Sequence, residues 1–148
     1  RFTLLPAVAD SFHALGFEAE TTGDVLELRS AEGDAIVVAA ATEEATVELP
    51  VYRRLLASVD RAVTDGDGHR KGILVVSGSR ELDPKRRPTQ YSAEVLRGCQ
   101  AQGFCLLTTY QLYKLVRTAL ETKDKKKLAA LRRTLLESEG PFRDSRAP

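Results

Sequence analysis

The chain has 148 residues, 43% of them apolar, which is the size of one ordinary domain able to fold without disulfides or a structural metal. Its 22 basic and 21 acidic side chains nearly cancel, so no global field draws it onto nucleic acid or a membrane, and any such contact is local. The two cysteines make neither a zinc site nor a disulfide framework, and no segment resembles a membrane span or signal peptide, so we expect a cytoplasmic protein with core thiols.

The first half of the chain predicts a helix, three strands and a second helix. Apolar residues recur at helical spacing over 4–15 and end at Gly16, a common helix terminator. Three strand patterns follow, and the last is the continuous apolar run 35–41, which predicts a central strand covered on both faces. Pro50 is suited to the first turn of the second helix.

The second half predicts two more strands and three more helices. A strand over 72–77 leads through a basic loop to a helix capped by Ser92, and a strand over 104–107 leads to a helix carrying Leu112, Val116 and Leu120. The order α-β-β-β-α-β-α-β-α-α predicts an α/β fold with a mixed five-stranded sheet flanked by helices. We expect residues 1–122 to form the domain and 123–148 to form a basic helix packed on it, with a frayed tail from Glu139.

Five short stretches occur in an order and spacing typical of one family. They are Gly-Phe-Glu at 16–18, Gly-Asp at 23–24, Lys-Gly-Ile-Leu at 71–74, the segment 80–88, and Gly-Phe-Cys-Leu-Leu-Thr-Thr at 103–109. Together they resemble a bacterial subgroup of the PD-(D/E)xK, or restriction-endonuclease-like, superfamily, over residues 4–116. The resemblance implies a core made of a helix, a three-strand meander, a helix and another strand.

Active members of this superfamily hold a divalent cation between an aspartate at the start of the hairpin's first strand and an acid-x-lysine triplet on the next strand. The carboxylates bind the metal, which polarises a phosphate, and the lysine orients water or stabilises charge. Asp24 matches the aspartate, but the acid and lysine positions fall on Val38 and Ala40. Since valine cannot bind magnesium and alanine cannot hold a water, the resemblance implies a catalytically inactive member with no metal or other cofactor.

The remaining acids leave an alternative open. Asp24 follows Gly23 and fits a turn better than a relict ligand. Glu43, Glu44 and Glu48 come just after the apolar strand, where a displaced acid would reach a metal. The alternative is therefore a magnesium-dependent DNA nuclease that uses Asp24 with Glu43 or Glu44.

Basic side chains supply the candidates for a binding surface. They are Arg80, Lys85, Arg86, Arg87, Lys126 and Arg132. Nearby acids balance them, so a solvated surface is the plainer interpretation. We expect a non-catalytic binding, dimerisation or scaffold module in a larger bacterial system, with a protein partner or a second copy of itself. A module that binds DNA without cleaving it is the further alternative.

Overall fold

The structure is a computed structural model that describes residues 4–41, 49–64, 71–77, 93–122 and 124–142. Within these ranges the helices are α1 Leu4–Ala14, α2 Leu49–Thr64, α3 Ala93–Gln102, α4 Thr109–Glu121 and α5 Lys125–Glu137. The strands are β1 Glu18–Thr22, β2 Val25–Arg29, β3 Ala35–Ala41, β4 Lys71–Ser77, β5 Cys105–Thr108 and β6 Gly140–Pro141. The predicted α/β class and the element order through α5 are confirmed. None of the described helices has the length and apolar character needed to cross a membrane.

All six strands form one mixed sheet in the order β1-β2-β3-β4-β5-β6. The first three make an antiparallel meander, and β3 to β6 are parallel to one another. Because β1 and β3 are both antiparallel to β2, β1 points the same way as the parallel strands. We call the edge where these strands end the carboxyl edge, and the edge where they begin the amino edge.

Helices cover both faces of the sheet and bury two separate apolar clusters. α1, α4 and α5 pack on one face around Phe12 and Leu135, while α2 and α3 pack on the other around Leu55 and Cys99. Side chains of β3 alternate between the clusters, so that Val37 faces α1 and Val38 faces α2. The prediction that β3 is a central strand covered on both faces is therefore confirmed.

The sixth strand corrects two predictions, the five-stranded sheet and the frayed tail from Glu139. Gly140 donates its N–H to the carbonyl of Phe104 at 2.7 Å, and Phe142 donates to Leu106 at 2.8 Å. The side chain of Gln111 then donates to the carbonyl of Phe142 at 2.9 Å, and Phe142 itself is only 3% exposed. Residues 140–142 are thus held by the sheet and the core, because hydrogen bonds and burial both offset the entropy of ordering them.

Arg132 of α5 clamps the amino edge. Its Nε donates to Oε1 of Glu32, in the turn between β2 and β3, and its Nη1 donates to the carbonyl of Leu15 at 2.9 Å. Gly16 has a φ of +99°, and a Cβ on it would lie 2.2 Å from Nη1 of Arg132. Glycine at this position therefore serves both the left-handed backbone and the close approach of the guanidinium.

Replacing Arg132 by glutamine is expected to lower the melting temperature at pH 7, by an amount that shrinks in acid. The hydrogen bond from Arg132 holds the pKa of Glu32 below its ordinary value of 4.5. A carboxyl whose folded-state pKa is depressed contributes stability above the unfolded pKa, and this contribution is lost as the pH falls through the folded pKa. The difference between wild type and Arg132→Gln should thus narrow below about pH 4.5.

Lys126→Gln is the matched control, since Lys126 lies on the same helix and is exposed. Its melting temperature should match that of wild type at pH 7 and also below about pH 4.5. Equal melting temperatures for Arg132→Gln and wild type at pH 7 would contradict the clamp. Thermal unfolding followed by circular dichroism gives the measurement.

Candidate functional site

The positions that the resemblance assigns to metal chemistry lie together on the meander, toward the carboxyl edge. Asp24 is in the two-residue turn between β1 and β2, where Gly23 adopts a φ of +63°. Val38 and Ala40 are on β3, which pairs with β2, and both belong to the face covered by α2. In open α/β sheets ligands bind outside the carboxyl ends of the strands, so this is the expected place for a site.

Asp24 is an exposed turn residue with a cationic neighbour. Its Oδ2 lies 3.6 Å from Nη1 of Arg54 on α2, and the two side chains are 69% and 45% exposed. Surface pairs of this kind contribute about 0–1 kcal/mol. This placement agrees with the interpretation of Asp24 as a turn residue. The sequence did not indicate Arg54, because nothing local relates a helix position to a turn that precedes it by thirty residues.

Val38 and Ala40 present hydrocarbon to α2. Val38 is fully buried in a cluster that includes Leu55 and Val59 of α2, and its partner on β4 is Leu74. Ala40 packs against the same cluster and lies beside Val76. The helix therefore sits on these two strand positions with apolar packing. The described residues here do not fit a divalent cation held by two carboxylates.

Lys71 does not lie where the resemblance would place a lysine, beside Ala40. It is the first residue of β4 and pairs with Ala35, at the amino edge, which is five residues of β3 from Ala40. That separation is about 17 Å along a strand. Its amine donates to the carbonyls of Gly103 and Ser138, and burial lowers its pKa from the ordinary value. Lys71 thus joins β4 to the segments before β5 and β6.

The two cysteines are core thiols, as predicted. Cys99 and Cys105 are fully buried and unpaired, and burial raises the pKa of each thiol to about 12. Thiols of this kind are poor nucleophiles and poor metal ligands at neutral pH. In the part of the chain that the structure describes, no group of three or more His, Cys, Asp or Glu side chains is arranged to hold a metal ion. Glu43, Glu44 and Glu48 lie outside that part.

The basic candidates fall into three groups. Arg80, Lys85, Arg86 and Arg87 lie outside the described residues. Lys126 is exposed in the first turn of α5, between Lys125 and Lys127, which are exposed as well. Arg132 is different, because its side chain is only 14% exposed and its guanidinium is engaged by Glu32 and Leu15. The clamp argues against Arg132 as a contact for a partner, whereas the exposed side chain of Lys126 is accessible to one.

Comparisons of the chain with family models, with curated proteins and with solved structures found no match.

Proposed function

We propose that this chain is a restriction-endonuclease-like domain that does not cleave nucleic acid and acts as a binding, dimerisation or scaffold module in a larger bacterial system. Support for the family comes from the helix, three-strand meander, helix and strand at its start, which follow the order that the resemblance implies. A cytoplasmic location belongs to the proposal, since unpaired thiols such as Cys99 and Cys105 are typical of reducing compartments.

One observation carries the loss of catalysis: Val38, at the position of the metal-binding acid, is fully buried beneath α2. Phosphodiester cleavage by this class of site depends on a cation that stabilises the charge developing on the phosphate. Hydrocarbon at positions 38 and 40 supplies neither a ligand nor a proton donor. What remains is a stable α/β scaffold whose surfaces are available to partners.

Cleavage assays test this proposal. Labelled duplex DNA is incubated with the wild type, Asp24→Ala and Glu20→Ala, each with Mg²⁺ or Mn²⁺. Glu20 is an exposed acid on β1 and serves as the matched control. We expect no metal-dependent product from any of the three. Cleavage by the wild type and Glu20→Ala that is absent from Asp24→Ala would establish the alternative nuclease.

DNA binding without cleavage is the second candidate, and the three exposed lysines at the start of α5 favour it. Contacts to phosphate would make the affinity fall linearly with salt on logarithmic axes. Fluorescence anisotropy with the same duplex measures this, using wild type and a Lys125→Ser, Lys126→Ser, Lys127→Ser variant. An affinity that falls with salt and weakens in the variant supports this function, and no binding at high protein concentration removes it.

A further inference from the structure

Strand β1 forms an open edge of the sheet. It is the first strand in the sheet order, and among the described strands it pairs with β2 alone, so one of its two sides has no strand beside it. Four of its five residues are exposed, which shows that this edge is accessible. An edge strand of this kind presents unpaired backbone N–H and C=O groups to any extended chain that fits next to it.

The turn between β1 and β2 determines which backbone groups of β1 are open. Thr22 is the last residue before this two-residue turn, and its carbonyl accepts the hydrogen bond that closes the turn. Hydrogen-bonded pairs alternate along an antiparallel ladder, so Glu20 and Glu18 bond to β2 as well. The N–H and C=O groups of Ala19 and Thr21 then point away from β2. These four groups are placed to bond one more strand.

The side chains at this edge carry negative charge on one face of the sheet. Residues two apart on a strand point to the same face, so Glu18 and Glu20 lie together, about 7 Å apart along the strand. Glu20 lies directly opposite Glu27 of β2, and like charges in that position repel. Glu18 lies opposite Arg29, whose guanidinium is also 3.9 Å from Glu27. Three carboxylates and one guanidinium give this face of the hairpin a net negative charge.

These charges disfavour a second copy of the chain at this edge. A two-fold pair of β1 strands that uses both open positions sets Ala19 opposite Thr21 of the second copy, and it sets Glu20 opposite Glu20. Carboxylates directly opposite one another on neighbouring strands repel. Charged edge strands are a common means by which proteins avoid pairing with themselves. The same charges favour a strand that carries basic side chains.

We infer that the β1 edge binds an extended basic segment of a partner protein as an additional strand. The backbone of Ala19 and Thr21 supplies the hydrogen bonds, while lysine or arginine side chains two residues apart in the segment face Glu18 and Glu20. The residue between them lies beside Ala19, which packs against the cluster under α1, so a small or apolar side chain fits there. A cation beside Glu20 also offsets its repulsion by Glu27. This inference rests on the proposed binding role and names the chemistry of the partner.

A labelled peptide of about eight residues that alternates lysine with valine is the probe. Fluorescence anisotropy with the whole chain gives its dissociation constant. We expect saturable binding below about 1 mM that weakens as salt is added, because the charges at the edge are exposed. A peptide with glutamate in place of lysine is the matched control and should not bind.

N-methylation of the peptide separates strand addition from a general attraction between charges. In an antiparallel addition the valine N–H groups bond to β1, and in a parallel addition the lysine N–H groups do. One peptide is therefore N-methylated at its valines and another at its lysines. Loss of binding by either peptide supports strand addition. Binding by both with the affinity of the unmodified peptide would overturn it.

Charge reversal at the edge tests the residues themselves. The double variant Glu18→Lys, Glu20→Lys should weaken binding of the lysine peptide at least about tenfold and should bind the glutamate peptide instead. The control is Glu121→Lys, Glu137→Lys, which makes the same change in net charge at the exposed last residues of α4 and α5. It should bind the lysine peptide with an affinity close to that of wild type. Both variants should keep the circular dichroism of wild type, since all four positions are exposed.

Three further results would overturn the inference: no binding of the lysine peptide at about 1 mM protein, equal binding of the glutamate peptide, or an unchanged affinity in Glu18→Lys, Glu20→Lys. Each of them leaves the proposed function standing on another surface. Metal-dependent cleavage in the assay above has the reverse meaning, since it overturns the proposed function without affecting peptide binding at β1.

Discussion

Replacing Val38 by glutamate is expected to lower the free energy of unfolding at pH 7 by about 3–5 kcal/mol. Val38 is fully buried against α2 in a cluster of apolar side chains. Among the described residues of that cluster none is cationic, so the new carboxylate would have no partner of opposite charge. Chemical denaturation at pH 7, with Mg²⁺ present and absent, gives the measurement. Mg²⁺ should not restore the lost stability.

The pH dependence of this variant has a definite sign. Burial raises the pKa of a carboxyl group, so a glutamate at position 38 would be neutral in the folded state at low pH. Its cost grows as the pH rises above the unfolded pKa of about 4.3, because the unfolded chain ionises first. Val38→Glu should therefore be closer to wild type at pH 4 than at pH 7.

Thr21→Glu is the matched control, because Thr21 is an exposed position on the edge strand β1. It should change stability by no more than about 0.5 kcal/mol. A Val38→Glu variant as stable as this control, or one that Mg²⁺ stabilises, would mean that residue 38 faces an open cleft. That result would contradict the interpretation of the site as filled by hydrocarbon.

Replacing Gly72 by alanine is expected to lower the free energy of unfolding by about 1–3 kcal/mol. Gly72 is buried on β4, and a Cβ there would lie 2.6 Å from Cδ1 and 2.8 Å from Cε1 of the Phe104 ring. The ring is itself 3% exposed, and its centre lies 6.1 Å from that of Tyr52 on α2. Neighbours on both sides therefore resist the movement that the new methyl group requires.

A double-mutant cycle identifies the clash as the cause. Phe104→Ala removes Cγ, Cδ1 and Cε1, the three ring atoms that the methyl group meets, so Gly72→Ala should cost less in the Phe104→Ala background than in wild type. The double variant is then less destabilised than the sum of the single variants. Additive costs, measured by denaturant unfolding, would show that Phe104 is not what excludes a side chain at position 72.

The sequence predicts the elements of this fold better than its tertiary contacts. The run 35–41 has no polar alternation, which is why its burial on both faces could be predicted. Gly140 and Pro141 carry no such signal, because the pairing of β6 depends on carbonyls of Phe104 and Leu106 that are distant in the chain. Local periodicity cannot indicate a strand that exists only through its partner.

For the candidate site too, the sequence predicts the kinds of residue present better than the contacts between them. Hydrocarbon at Val38 and Ala40 follows directly from the sequence, and the turn at Asp24 follows from the preceding glycine. The ion pair of Arg132 with Glu32, which converts a candidate binding residue into a clamp, joins residues one hundred positions apart. The exposure of Leu120 depends on the angle at which α4 meets the sheet, and an apolar residue in a helix pattern does not reveal that angle.

Manganese-induced broadening of backbone amide signals, followed by NMR, most directly tests the proposal that this chain holds no metal ion at the candidate site. Bound Mn²⁺ would broaden the signals of residues around it, including any reached by a displaced acid such as Glu43 or Glu44. With wild type at millimolar Mn²⁺, we expect no saturable broadening centred on Asp24, Val38 and Ala40. Broadening that saturates at those residues and disappears in Asp24→Ala would contradict a site filled by hydrocarbon and would support the alternative function, a metal-dependent nuclease.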